Sequence, residues 1–277
     1  MKEVFFSDLM TGKIVFTSLF IILIHSIETL AYAVRLSGAR VKLIASGLSL
    51  FSTIVIVSRM ANMGQQPLLG SILDTAPEQN FLGFVESQFR VLIGASTIGT
   101  IIGILLLPTF IAIFSRAIIR LADEEGSVPS LLKIGFNWKS AKRMVKHFKI
   151  PRISYLNGLK LSEIPKRLFL FNMFVTAIYT IGVLAALYAS LLTTVSSNTA
   201  IMASGLINGV ATILLSIFVD PKISVMSDNV VHGKAKYSNL KGISIMMVTS
   251  RLIGTVLAQI MFIPGAYYIA WASKFFV

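Results

Sequence analysis

The sequence predicts an all-α integral membrane protein with about six transmembrane helices, and three observations carry that prediction. Of the 277 residues, 55% are hydrophobic and 13% are charged, whereas soluble domains average roughly 45–50% apolar and about 25% charged. The mean hydropathy is +0.80. Six apolar stretches are each long enough to cross about 30 Å of hydrocarbon, which takes roughly 20 helical residues. Unsatisfied backbone groups are costly in lipid, so these stretches are expected to be helices.

The first span is 14–34. "AYA" at 31–33 follows its apolar run as a signal-peptidase site would. The preceding "MKEVFFSDLMTGK" is charge-balanced rather than cationic, however, and His25 and Glu28 interrupt the apolar region, so the segment reads as an uncleaved span. The second, third, fourth and fifth spans are 43–63, 91–115, 168–193 and 199–219. The sixth, 243–272, is overlong and carries Pro264-Gly265, which predicts a kink or tilt. The chain is thus one polytopic domain over 1–277, with three spans in 1–115, a basic loop at 116–167 and three spans in 168–277.

Loop charges predict the orientation. Loop 35–42 contributes Arg35, Arg40 and Lys42 with no acid, and loop 116–167 has 12 Lys/Arg against Asp123, Glu124, Glu125 and Glu163. Loop 220–241 sets Lys222, Lys234, Lys236 and Lys241 against Asp220 and Asp228. Loop 64–90 instead carries Asp74, Glu78 and Glu86 against Arg90, and 194–198 is uncharged. The positive-inside rule therefore places the basic loops in the cytoplasm and both termini outside it. Within the long loop, "NWKSAKRMVKHFKI" (137–150) sets Trp138, Ala141, Val145 and Phe148 on one helical face and Lys139, Lys142, Arg143 and Lys146 on the other. That pattern predicts an amphipathic cationic helix lying in the headgroup layer.

The chain also matches itself weakly. "LIASGLSLFSTIVIVS" (43–58) aligns with "IMASGLINGVATILLS" (201–216), and "STIGTIIGILLLPTF" (96–110) with "RLIGTVLAQIMFIPG" (251–265). Tyr32-Ala33 pairs with Tyr188-Ala189, which sets Leu184 near Glu28's place and Ile181 near that of His25. Odd numbers of spans per half would make this an inverted-topology repeat of three helices, an arrangement common in transporters. Chance matching within a small apolar alphabet is the competing explanation.

Composition excludes several chemistries. The absence of cysteine removes disulfides, thiolate zinc sites and cysteine nucleophiles. Histidines at 25, 147 and 232 are too scattered to suggest a metal site, and no GxxxxGK[ST] phosphate loop occurs, so no metal or other cofactor is expected. The net charge of +13 fits cytoplasmic loops facing anionic lipid better than nucleic acid.

The candidate site residues are the ionisable groups inside the spans: His25, Glu28, Arg59 and Arg251. A charge at mid-membrane costs about 2.5–3.5 kcal/mol even on lenient scales, so such groups are expected to face one another, water or a polar ligand. His25 and Glu28 share a helix face with Tyr32 and Arg35. An interhelical ion pair of Glu28 with Arg251 or Arg59 and a polar transport cavity are both open readings, and a gating ion pair satisfies both. Asn62 and Gln65, with Arg59 near the end of the second span, are either an interfacial cap or the wall of a cavity that binds sugars or phosphate. The glycine and small-residue strings are read as helix-packing surfaces.

The segment "IHSIETLAYAVRLSGARVKLIASGLSLFSTIVIVSRMANMGQQPLLG" (24–70) resembles the amino-terminal core of the Amj family, bacterial lipid II flippases alternate to MurJ. Its most specific parts are "ETLAYAVRLSGAR" (28–40) and the SR-x-x-N-M pattern at 58–63. The resemblance implies a non-enzymatic transporter of the bacterial cytoplasmic membrane. It would carry lipid II, a polyprenyl pyrophosphate bearing a disaccharide-pentapeptide, to the outer leaflet for cell-wall synthesis. Lipid II and anionic lipids would be its partners, and oligomeric state, a homo-oligomer included, stays open. Arg35, Arg59 and Arg251 would then supply a positive field for the pyrophosphate. An undecaprenyl-pyrophosphate phosphatase is the alternative, but it needs clustered glutamates, and Glu28 stands alone among the spans.

Overall fold

The computed structural model describes residues 12–124, 166–194 and 196–276. The basic segment at 137–150, expected to be amphipathic, lies outside the described residues. The elements are α1 (Gly12–Val41), α2 (Ile44–Gly64), α3 (Gln66–Asp74), α4 (Phe81–Asp123), α5 (Lys166–Leu192), α6 (Ser197–Leu214), a π-helical turn (Leu215–Val219), α7 (Asp220–Val231), α8 (Tyr237–Ala272) and a terminal 3₁₀ turn (Ser273–Phe276). Six helical rods are long and apolar enough to cross a membrane, with α2–α3 and α6–α7 each counting as one.

The helices outrun the apolar stretches. Hydropathy stops at the first charges, but backbone hydrogen bonding does not, so α4 runs 43 residues, or about 65 Å at 1.5 Å per residue. Most of the expected loops are correspondingly helical. Residues 35–41 complete α1, 66–74 form α3, and 220–231 form α7. Arg35 and Asp220, which fell in loops on the sequence reading, are therefore both helical. The α1–α2 connection is only Lys42 and Leu43. Lys42 takes a left-handed conformation there (φ 59°), and the Leu43 N–H caps the Gly38 carbonyl at 3.0 Å. Pro264, expected to bring a kink or tilt, sits inside α8, which is one continuous helix from 237 to 272.

Close crossings define each half. A Cβ placed on Gly99 of α4 would lie 2.5 Å from the Ile22 carbonyl oxygen and 3.0 Å from the His25 Cβ of α1. A Cβ on Gly254 of α8 would lie 2.6 Å from the Met173 carbonyl oxygen and 2.9 Å from the Thr176 Cβ of α5. Gly99 and Gly254 are matched glycines of the internal alignment. Overlaying the two crossings matches Ile22 with Met173 and His25 with Thr176 and so sets Tyr179 against Glu28, five residues from the Leu184 of the sequence alignment. In each half the first helix packs most heavily on the third and next on the second.

The largest apolar core joins α1, α3, α4, α5 and α8 around Phe89, Phe262 and Tyr188. Two smaller cores occupy the other end, one around Leu36, Ile223, Leu240 and Met247, the other around Val34, Leu50, Ile118 and Leu121. Between them lies a polar layer. The α2 and α6 rods are peripheral and turn Ile56, Met60, Met202 and Leu206 outward, as a lipid-facing surface requires. Near the carboxy-terminal end, Tyr268, Trp271 and Phe275 form an exposed aromatic ladder of the kind found at a membrane interface.

Candidate functional site at the interface of the two halves

Residues 28, 32 and 35 recur at intervals of four and three, so α1 presents Glu28, Tyr32 and Arg35 on one stripe. Glu28 and Tyr32 of that stripe, with Ala31, line a cavity of about 80 Å³. Phe51, Val55 and Arg59 of α2, Thr176 and Tyr179 of α5, Thr212 of α6, Leu215 and Val219 of the π turn, Asp220 and Arg251 complete its lining. The cavity lies alongside the seam between α2 and the bulged α6–α7 rod. Its size admits a few water molecules and no sugar.

Glu28 sits near the middle of α1. Arg251 of α8 donates from Nη2 to Glu28 Oε2, and the two side chains are only 9% and 11% exposed. The same Nη2 lies 3.4 Å from His25 Nδ1. A guanidinium offers no acceptor, so a hydrogen bond there requires that Nδ1 carry no proton. Arg251 Nε is buried without a partner. Arg59, half-buried on the opposite wall, has no acidic partner among the described residues. The centre of the cavity thus holds one neutralised and one uncompensated arginine.

Two further links cross between the halves. Arg35 Nη2 donates to Asp220 Oδ1 at 2.6 Å, and its guanidinium lies 3.9 Å over the Phe51 ring. Asn62 Nδ2 donates to the Tyr179 hydroxyl at 2.7 Å, and Gln65 Nε2 in turn donates to Asn62 Oδ1. Tyr179 borders both the central cavity and a smaller one lined by His25, Asn62, Gln65, Ser96 and Thr180. It therefore partitions a polar column that runs through the bundle core. At one end the halves are stapled differently: Arg90 Nη1 donates to the Gln259 carbonyl at 3.0 Å, and Gln259 Nε2 returns a bond to the Arg90 carbonyl at 2.8 Å.

Comparison with known proteins bears directly on this arrangement. The family profile described as Alternate to MurJ, Amj, matches residues 20–273. The chain is 59% identical over 266 residues to the Lipid II flippase Amj of Bacillus subtilis (strain 168), covering 96% of this chain and 98% of that protein. The chain belongs to the Amj family. No solved structure matches it, so the packing described above is read from this chain alone.

In this Amj-family chain, six of the seven residues singled out in the sequence line the two cavities, and the seventh, Arg35, binds Asp220 of the central cavity's lining. His25, Glu28 and Arg251 come together, and of the two arginines open to Glu28 the structure selects Arg251. Arg59 shares their cavity. Arg35 lies two helical turns away, and Asn62 and Gln65 line the smaller cavity. Sequence reasoning missed Asp220, Tyr179 and Phe51. Asp220 directly follows the fifth apolar stretch and precedes Pro221, so a boundary drawn on hydropathy assigns it to a loop. Its signal was its place as the acid nearest the end of that span. Tyr179 carries no charge and sits in an apolar run, so it gave no signal beyond its phenol. Among the described residues no group of three or more metal-ligating side chains occurs.

Proposed function

We propose that this chain is a lipid II flippase that passes the pyrophosphate-linked headgroup from the cytoplasmic to the outer leaflet while the polyprenyl tail stays in lipid. The observation that carries the reading is the buried Glu28–Arg251 pair beside the acid-free Arg59, in a cavity at the seam of the two halves. The relative's name and the family description support the substrate. The pyrophosphate competes with Glu28 for Arg251 and draws on Arg59, because charge-assisted bonds to phosphate suit guanidinium. Displacing Glu28 removes the central one of several links between the halves, which couples headgroup binding to movement. His25 and Glu28 are also the groups placed to take up a proton once the arginine leaves.

The two halves act as an inverted repeat rocking about their interface, a reading supported by the equivalent Gly99 and Gly254 crossings. The basic ends of the helices, including Arg40, Lys42, Arg116, Arg120, Lys222 and Lys236, face the cytoplasm and gather anionic headgroups. Both termini then lie outside. The phosphatase alternative loses ground on one point: the cavity's acids, Glu28 and Asp220, are each held by an arginine.

Complementation tests the proposal. Expressed where the main lipid II flippase is depleted, the chain restores surface-exposed lipid II. Failure to do so with the protein correctly inserted would overturn the assignment. A Glu28→Gln variant loses flipping in the same assay, and wild-type flipping by it would remove the competitive step.

A further inference from the structure

We infer that Arg35 and Asp220 form a second anion site, at the edge of the central cavity, that receives the diphosphate of a polyprenyl-linked lipid before it reaches Arg251 and Arg59, with Asp220 as the displaceable occupant. The inference rests on the transport reading above and assigns the place where that substrate loads. Arg35 is 5% exposed, yet it uses a single donor on protein: Nη2 binds Asp220, while Nε and Nη1 are buried without a partner. An arginine kept only to hold two helices together in lipid would be expected to have its donors satisfied. A diphosphate offers oxygens to several donors at once, which one Asp220 oxygen does not. The guanidinium is also held from behind by the Phe51 ring, so it stays in place when its acid leaves.

Asp220 has the opposite character. Its side chain is 34% exposed, and it follows the π turn Leu215–Val219 and precedes Pro221. Pro221 lacks the N–H that would continue the helical ladder, and a π turn is a local fault in that ladder. Asp220 is thus the half of the pair able to swing away. Arg35 and Glu28 are seven residues apart on one stripe of α1, about 10 Å along the axis. An anion released from Arg35 meets Arg251 and Arg59 after one such step.

The test is equilibrium binding of undecaprenyl diphosphate, undecaprenyl monophosphate and phosphatidylglycerol to the full chain in nanodiscs, read by native mass spectrometry. Four proteins are compared: wild type, Arg35→Gln, Asp220→Asn and the doubly neutral Arg35→Gln/Asp220→Asn. Asp220→Asn, which removes the competitor, binds the diphosphate several-fold more tightly. Both variants lacking Arg35 lose roughly tenfold, and the monophosphate responds less than the diphosphate. The double variant buries no unpaired charge, so it keeps the comparison interpretable where a single variant misfolds. Wild-type binding by the double variant would make the pair purely structural and overturn the site. An equal response of phosphatidylglycerol would overturn its assignment to diphosphate. A wild type that binds no diphosphate lipid at all would fail the transport reading itself, whereas binding indifferent to Arg35 and Asp220 fails this inference alone.

Discussion

Replacing Gly99 with alanine should damage both the fold and the site, by an amount the structure lets one estimate. The new methyl carbon would lie 2.5 Å from the Ile22 carbonyl oxygen, 2.9 Å from the Ile22 Cα and 3.0 Å from the His25 Cβ. Two of these obstacles are backbone, so rotamer changes cannot relieve them. The α1 and α4 axes must separate by roughly 1 Å, and overpacking of this kind costs about 1–3 kcal/mol. Separation also stretches the bond from Ser26 Oγ to the Gly99 carbonyl, now 2.9 Å, and such a bond averages about 0.6 kcal/mol in a membrane. A loss of about 2–3 kcal/mol is expected. Gly205→Ala is the control, because nothing lies within 4 Å of a Cβ there. Thermal unfolding in detergent, followed by size-exclusion of the tagged protein, should show Gly99→Ala clearly below wild type and Gly205→Ala level with it. Because His25 is pushed with α1, flipping should fall even at temperatures where Gly99→Ala stays folded. Equal stability of the two variants would refute the crossing geometry and with it the equivalence drawn between the halves.

Other changes separate structural from transport roles. Glu28→Ala leaves Arg251 buried and charged and should cost about 3–5 kcal/mol in the same unfolding assay, while Glu28→Ala/Arg251→Ala should recover much of that stability without recovering flipping. Tyr179→Phe removes the acceptor of the Asn62 bond and should cost about 1 kcal/mol, with a larger effect on flipping if the phenol divides the column. A flipping rate unchanged by it would deny Tyr179 that role. The chain contains no cysteine, so single cysteines can be read without background. Lys236→Cys should react with a membrane-impermeant maleimide only after the cells are opened, and Glu78→Cys should react in intact cells; the reverse pattern would invert the proposed orientation.

Much of this architecture was legible from periodicity and charge alone, for identifiable reasons. An apolar run of 20 residues has few alternatives in lipid, so the six spans follow from hydropathy. That Glu28 pairs with a buried arginine was legible because buried charge is expensive, whereas the choice of Arg251 over Arg59 comes from packing. Arg35 and Asp220 were not, because hydropathy reports where lipid contact ends and not where the helix ends. Both residues sit just past an apolar boundary, where Arg35 is covered by neighbouring helices and Asp220 only partly so. Tyr179 was illegible for a different reason. Its place between the two cavities comes from how α5 packs against α1 and α2, which a continuous apolar run does not report.

The reciprocal Arg90–Gln259 bonds make α8 a lever pinned about two-thirds of the way along its length. From Gln259 to Tyr237 the helix extends about 33 Å, and from Gln259 to Arg251 about 12 Å. A swing of roughly 10° about that pin would carry Arg251 about 2 Å and the far end about 6 Å. The shorter displacement is enough to part a hydrogen bond to Glu28, and the longer one approaches the width of a phosphate group. One modest rotation would thus unlatch the centre and widen the end that carries Arg35 and Asp220, with mechanical gain set by where along α8 each group is mounted.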